Sequence, residues 1–288
     1  MNGTMNIIKA SMLNALRRRW KLALVVFLFG VGLVIFTHAY DMTALDNVRI
    51  MGTPSDVEGG EPSPEQVEAM ARRAGMFVLF ALLMSAFALG TMLLAFLMPG
   101  GMVANEQRSG AIMLWAQHPM PLRSFYLRRY AGVQIATVAA LAIFGLTGAV
   151  AALPPGGGSP TGVGGVVNLC LTGVLACAIS FAFTALGIRR AALFGMLYFV
   201  LSGTVEGVEV TSSEVGRASE TWTAGESTGG VLPFVLFPGG VIDDLVAGFG
   251  SGVAWDWGAT GLVLYHFALW TGIAWLGLLR IEKRPLKL

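Results

Sequence analysis

The sequence predicts an all-α, polytopic membrane protein with six transmembrane helices, and three observations carry the prediction. Apolar residues make up 55% of the 288-residue chain and charged residues only 12%, where an ordinary soluble domain carries about 25% charge. The apolar residues gather into runs, most of them near the roughly 20 residues that a helix needs to cross a bilayer. Those runs, at 21–40, 74–100, 130–153, 163–188, 190–206 and 257–279, hold no Lys, Arg, Asp or Glu between their terminal residues.

Charge predicts the orientation. With a cytoplasmic N-terminus, 15 of the 19 Lys and Arg fall inside and only Arg49, Arg72, Arg73 and Arg217 fall outside. Of the 17 acids, only Glu106 and Glu282 fall inside. The Lys/Arg bias is what sets topology, so both termini are expected in the cytoplasm of a multi-pass protein of the cell (inner or plasma) membrane. No cleavable signal peptide is expected: the first run has span length and lacks a small-residue cleavage site.

Taken in order, residues 1–20 predict an N-terminal interfacial helix. Met5, Ile8, Met12, Leu13, Leu16 and Trp20 gather on one side, with Lys9 and Arg19 intruding. Such a helix lies along the membrane while long basic side chains reach the headgroups. The outer loop 41–63 is acidic and rich in Gly and Pro. Ser63-Pro64-Glu65-Gln66 then has the cap, first-turn proline and following glutamine of a helix start, which leads into the second span. Leu153 to Pro160 predicts a tight outer turn, and Arg189-Arg190 joins the fourth and fifth spans inside. The fifth span is short before Glu206 and Glu209, so its outer end is expected to be broken or tilted. The acidic loop 207–230 is too charged to enter lipid. Residues 231–250 are apolar but interrupted by Pro238-Gly239-Gly240, with each half too short to cross. They predict a re-entrant helical hairpin before the last span, buried against other spans so that freed backbone groups are satisfied. Asp243-Asp244 would cap its second helix or face an outer vestibule.

Enzyme chemistry is not expected. Cys170 and Cys177 lie seven apart on one helix face, about 10 Å from each other, too far for a disulfide; they read as packing residues. His38, His118 and His266 are scattered over three elements with no ligand spacing, so no metal site is expected. His266 reads as a hydrogen-bonded packing residue. No G-x-x-x-x-G-K-[ST] phosphate loop is present, and no Ser/His/Asp or paired-carboxylate arrangement faces across the spans. Catalytic residues and cofactors are therefore expected to be none, and nothing points to a nucleic acid partner. Ion- or proton-coupled carriers typically need ionisable groups within the membrane, which the spans lack.

An uncharged pathway needs energy delivered from outside the bilayer, and 104–129 is the only sizeable cytoplasmic connection. Its apolar centre, Ile112, Met113, Leu114 and Trp115, could enter a groove on a partner, rimmed by Glu106, Arg108 and His118. Aromatic and Arg anchors suit such an interface. Equally open is a helix lying on anionic headgroups, anchored by Arg123, Arg128 and Arg129.

The run Glu106-Gln107-Arg108-Ser109-Gly110-Ala111-Ile112-Met113-Leu114, then His118-Pro119 and Leu127-Arg128-Arg129-Tyr130, resembles the cytoplasmic coupling segment of ABC-2-type transporter permeases. That pattern has a glutamate, a Gly-Thr step, leucines, a proline nine residues past the glycine, and a basic residue before the next span. Gly110 to Pro119 keeps the interval and Arg129 stands for the usual lysine. Ala111 replaces the common threonine, and Pro121-Leu122-Arg123 replaces Ser-Arg. The order of surface helix, six spans, coupling segment and hairpin is similar to that family over nearly the whole chain.

The resemblance implies a single transmembrane domain over 1–288 that pairs with a second permease copy, identical or not, and with two separate ABC ATPase subunits carrying ATP and Mg. Glu106, Arg108, Gly110, Ile112, Leu114, Trp115, His118 and Pro119 would then face the ATPase. The first and fifth spans would lie near the dimer seam, where Gly195 and Gly203 permit close approach. Two function classes are implied. One is export of an apolar or amphipathic substrate. The other is a mechanotransmitter that works on an extracytoplasmic protein, as in metal-site maturation, with no small substrate crossing. An energy-independent scaffold is a third reading, which the coupling segment argues against.

Overall fold

A computed structural model describes residues 2–39, 64–117, 120–152, 161–202, 235, 238–247 and 257–283. Among these there is no strand. In chain order the helices are α1 (Asn2–Ala39), α2 (Pro64–Leu97), α3 (Ala104–Arg108), α4 (Ile112–Ala116), α5 (Leu122–Ala152), α6 (Thr161–Ala185), α7 (Ala191–Ser202), α8 (Gly239–Ala247) and α9 (Trp257–Lys283). The helices α1, α2, α5, α6 and α9 are long and apolar enough to cross a membrane, which marks a multi-pass membrane protein. They take up the expected spans at 21–40, 74–100, 130–153, 163–188 and 257–279. The span expected at 190–206 falls on α7, whose described length rises only about 18 Å against the roughly 30 Å of a bilayer core. The chain from 203 to 234, with the acidic loop 207–230, lies outside the described residues. So do the loop 41–63, the turn at 153–160, and most of the expected hairpin, of which α8 is described.

The centre of the bundle is α6, and its small residues explain why. A Cβ on Gly173 would collide with Leu141 of α5. One on Gly277 of α9 would lie 2.8 Å from the Ala185 carbonyl oxygen, so α9 crosses α6 backbone to backbone. Membrane helices have no lipid-excluding drive between them and associate through such close approaches. Polar groups add to this. Ser180 donates to the Phe96 carbonyl of α2 at 2.6 Å, and the rings of Tyr130 and Phe181 stack with centroids 4.2 Å apart. Gly195 belongs to the same interior. A Cβ there would meet Phe96 at 2.8 Å, so its open side receives a ring of its own chain and not a second copy. Gly203 lies outside the described residues. Cys170 and Cys177 are free, and Cys177 is fully buried beside the Thr137 hydroxyl. His266 is buried, edge-on to Tyr265.

The helix α6 ends in a left-handed glycine. Gly187 has φ +85°. Its N–H donates to the Thr184 carbonyl, and the Ile188 N–H donates to the Phe183 carbonyl. These are the two bonds of a Schellman cap, and they turn the chain into α7 within five residues.

The first helix departs from expectation in its inward face. It runs unbroken over Asn2–Ala39, and one stripe of it, Ile8, Met12, Ala15, Arg19, Val26, Gly30 and Leu33, is buried or half-buried. The arc expected to lie on the membrane is divided: Met5, Leu13 and Trp20 are exposed, but Ile8, Met12 and Leu16 are half-buried against the protein. Apolar residues of a membrane helix face lipid as well as protein, so an apolar arc alone does not mark the protein side.

Candidate functional site

One end of the bundle gathers the connection from α2 to α5, the α6–α7 turn and the C-terminal end of α9. The Ala104 N–H donates to the Thr184 hydroxyl at 3.2 Å, a Cβ on Gly187 would lie 3.4 Å from the Gln107 amide oxygen, and Arg123 meets Glu282 at 3.8 Å. Arg19 reaches this end from α1, donating through Nε to the Leu97 carbonyl at 3.2 Å. Charges there are lopsided: Arg17, Arg18, Arg19, Lys21, Arg108, Arg123, Arg128, Arg129, Arg189, Arg190, Arg280 and Lys283 stand against Glu106 and Glu282.

Within this end the connection is two single helical turns. After α3 the chain reaches Gly110 at φ +73°, a conformation that glycine adopts without the penalty a Cβ brings. The Met113 N–H then donates to the Gly110 carbonyl and α4 begins. The bend decides which residues face in. Ile112 is 1% exposed, whereas Leu114, two residues on, is 69% exposed. Trp115 is half-buried and stacks on Phe125 of α5 at 4.4 Å. Glu106 accepts from Arg129 Nη1 at 2.6 Å and from the Tyr126 hydroxyl at 2.7 Å, and the Arg129 guanidinium also lies against the rings of Phe125 and Tyr126.

These contacts sort the sequence-derived interface residues. Arg108, Gly110 and Leu114 are on the surface. Ile112 is turned into the core and cannot anchor a partner as expected. Glu106 is held by Arg129 and Tyr126 with 23% of its side chain still exposed, so it braces the connection. Trp115 is divided between surface and brace. His118 and Pro119 lie outside the described residues. Of the expected membrane anchors, Arg129 is the other half of the brace, and Arg123 lies over the Trp275 ring at 5.0 Å and near Glu282. Arg128 is half-exposed. The brace residues Phe125, Tyr126 and Trp275 were not foreseen. Nothing in their local pattern marks them as brace residues.

Among the described residues no group of His, Cys, Asp or Glu is placed to hold a metal ion. Set beside known proteins, the chain matches no family model, no curated protein and no solved structure.

Proposed function

We propose that this chain is the permease subunit of an ABC-2-type transporter, driven by ATP hydrolysed on a separate ATPase and exporting an apolar or amphipathic substrate. The observation that carries the reading is the braced connection at the basic end. An element that receives force must be exposed on one side and rigidly held on the other, and this one presents Arg108 and Leu114 while Glu106, Ile112 and Trp115 tie it to the spans. The sequence resemblance of 104–130 to a coupling segment points the same way. The finer architecture belongs to the proposal: six crossings with α7 continuing beyond Ser202, a re-entrant hairpin that includes α8, and two permease copies with two ATPases. The surplus of Lys and Arg supports placing the basic end in the cytoplasm.

Retention of a defined ABC ATPase by the purified full chain tests the reading. Leu114→Asp, on the exposed face, is expected to lower retention at least about tenfold, a loss of about 1.4 kcal/mol, without changing the yield of inserted protein. Full retention by Leu114→Asp, or ATP hydrolysis by the rigorously purified chain alone, overturns it.

A further inference from the structure

The cations on α1 differ from those at the start of α5. Arg123 and Arg129 each have a carboxylate within reach, whereas among the described residues none pairs with Arg17, Arg18, Arg19 or Lys21. Arg19 is half-buried with its Nε on the Leu97 carbonyl, so an uncompensated charge sits under the exposed Arg17, Arg18 and Lys21. Three to four positive charges within about one helical turn attract an anion strongly at the edge of a low-dielectric region.

The helix beyond these cations identifies the anion. Positions 17, 21, 24 and 28 follow the three-and-four spacing of one helix face. On this face Arg17 and Lys21 lead directly into Leu24 and Leu28, both exposed. Beside it Arg18 leads to exposed Val25 in the same way, and Trp20 stands exposed at the level of the charges. From Arg17 to Leu28 the helix rises about 16 Å, close to half of the roughly 30 Å hydrocarbon core. A phosphate at one end and about one leaflet of apolar ladder at the other is the shape of a phospholipid. A free phosphate would use only the charges.

We propose that the α1 face running from Arg17, Arg18 and Lys21 to Leu24, Val25 and Leu28 is a binding site for an anionic glycerophospholipid. The phosphate is held by the three cations and an acyl chain lies along the ladder. This site requires no ATPase, and its lipid readout is separate from the ATPase retention that tests the transporter reading.

The test uses the full chain purified from mixed micelles of phosphatidylglycerol and phosphatidylcholine at equal input, with retained lipid counted by mass spectrometry. Phosphatidylglycerol should be enriched over phosphatidylcholine, and Arg17→Gln/Arg18→Gln/Lys21→Gln should lower the enrichment at least roughly fivefold. Arg17→Lys/Arg18→Lys, which keeps the charge, should retain it. Lys21→Gln alone should lower it partially, which covers the case in which the triple variant does not fold. Millimolar glycerol phosphate should not displace the lipid. Retention at the input ratio, or enrichment that survives both the single and the triple variant, overturns the proposal. Displacement by glycerol phosphate also overturns it, because the site would then recognise a free anion.

Discussion

Two connections turn the chain around at the basic end, and they are built in opposite ways. Between α2 and α5 some two dozen residues intervene; between α6 and α7 there are five. Both hold left-handed glycine, Gly101 and Gly110 in the long one and Gly187 in the short one. The short turn is closed by its own backbone bonds, Gly187 to Thr184 and Ile188 to Phe183. The long one also has backbone turn bonds, Gly110 to Gln107 and Met113 to Gly110, but it is seated by tertiary contacts: Ile112 in the core, Trp115 on Phe125, Glu106 on Arg129 and Tyr126, and Ala104 on Thr184. Length here does not mean looseness. A load on the long connection passes to α5 and α6 through side chains, while a load on the short turn passes along the cap bonds into α6 and α7, whose Phe183 and Phe194 rings meet edge-on.

The largest break in that comparison should come from Ile112. Replacing it by alanine leaves a cavity under α4, at a cost of about 3 kcal/mol. Leu114→Ala, in the same single turn, removes an exposed side chain and should change stability by less than about 0.5 kcal/mol. Denaturant-titrated unfolding of the detergent-solubilised chain, read with both variants, decides it. Equal losses would mean that α4 is not seated as described.

Glu106 comes next. Its pair with Arg129 is mostly shielded, at 23% and 15% side-chain exposure, so Glu106→Gln leaves the guanidinium without its counter-ion. Losing one partner of a fully buried pair costs about 3–5 kcal/mol; partial exposure reduces this to about 2 kcal/mol. Arg129→Gln in the Glu106→Gln background should then cost less than Arg129→Gln alone, with a coupling of about 1 kcal/mol in the double-mutant cycle. Additive losses would show that the two side chains do not support each other.

The fold class and the helix positions are legible in the sequence, because the bilayer requires long uncharged runs and glycine marks where helices stop. The faces are much less legible. In water an apolar stripe points to the core, but α1 surrounds itself with apolar groups on both sides, and Met5, Leu13 and Trp20 face outward for that reason. At 111–116 the apolar run is under two turns long. A run so short has no periodicity with which to tell Ile112, inward, from Leu114, outward. The brace is hidden for a different reason: Glu106 and Arg129 are 23 residues apart, and nothing local pairs them.

The smallest expected effects concern Gly110 and Gly187, and they probe the comparison most directly. Alanine at Gly110 or Gly187 would have to hold a positive φ, costing about 1 kcal/mol at each. Neither site is crowded. A Cβ at Gly110 meets nothing within 4 Å, and one at Gly187 meets only the Gln107 amide oxygen at an ordinary 3.4 Å. The two losses should therefore be alike in the otherwise unchanged protein. They should part company when the brace is removed. With Glu106→Gln present, α3 keeps its Ala104 bond to Thr184 but loses its ion pair to Arg129, so the Gly110 turn is held less tightly and Gly110→Ala should cost less than it does alone. Gly187→Ala is fixed by its own cap bonds and should add to Glu106→Gln within about 0.5 kcal/mol. Unfolding of the two double variants and their parents measures this. If Gly110→Ala adds fully to Glu106→Gln while Gly187→Ala does not, the long connection is closed by backbone and the short one by side chains, the reverse of the arrangement described.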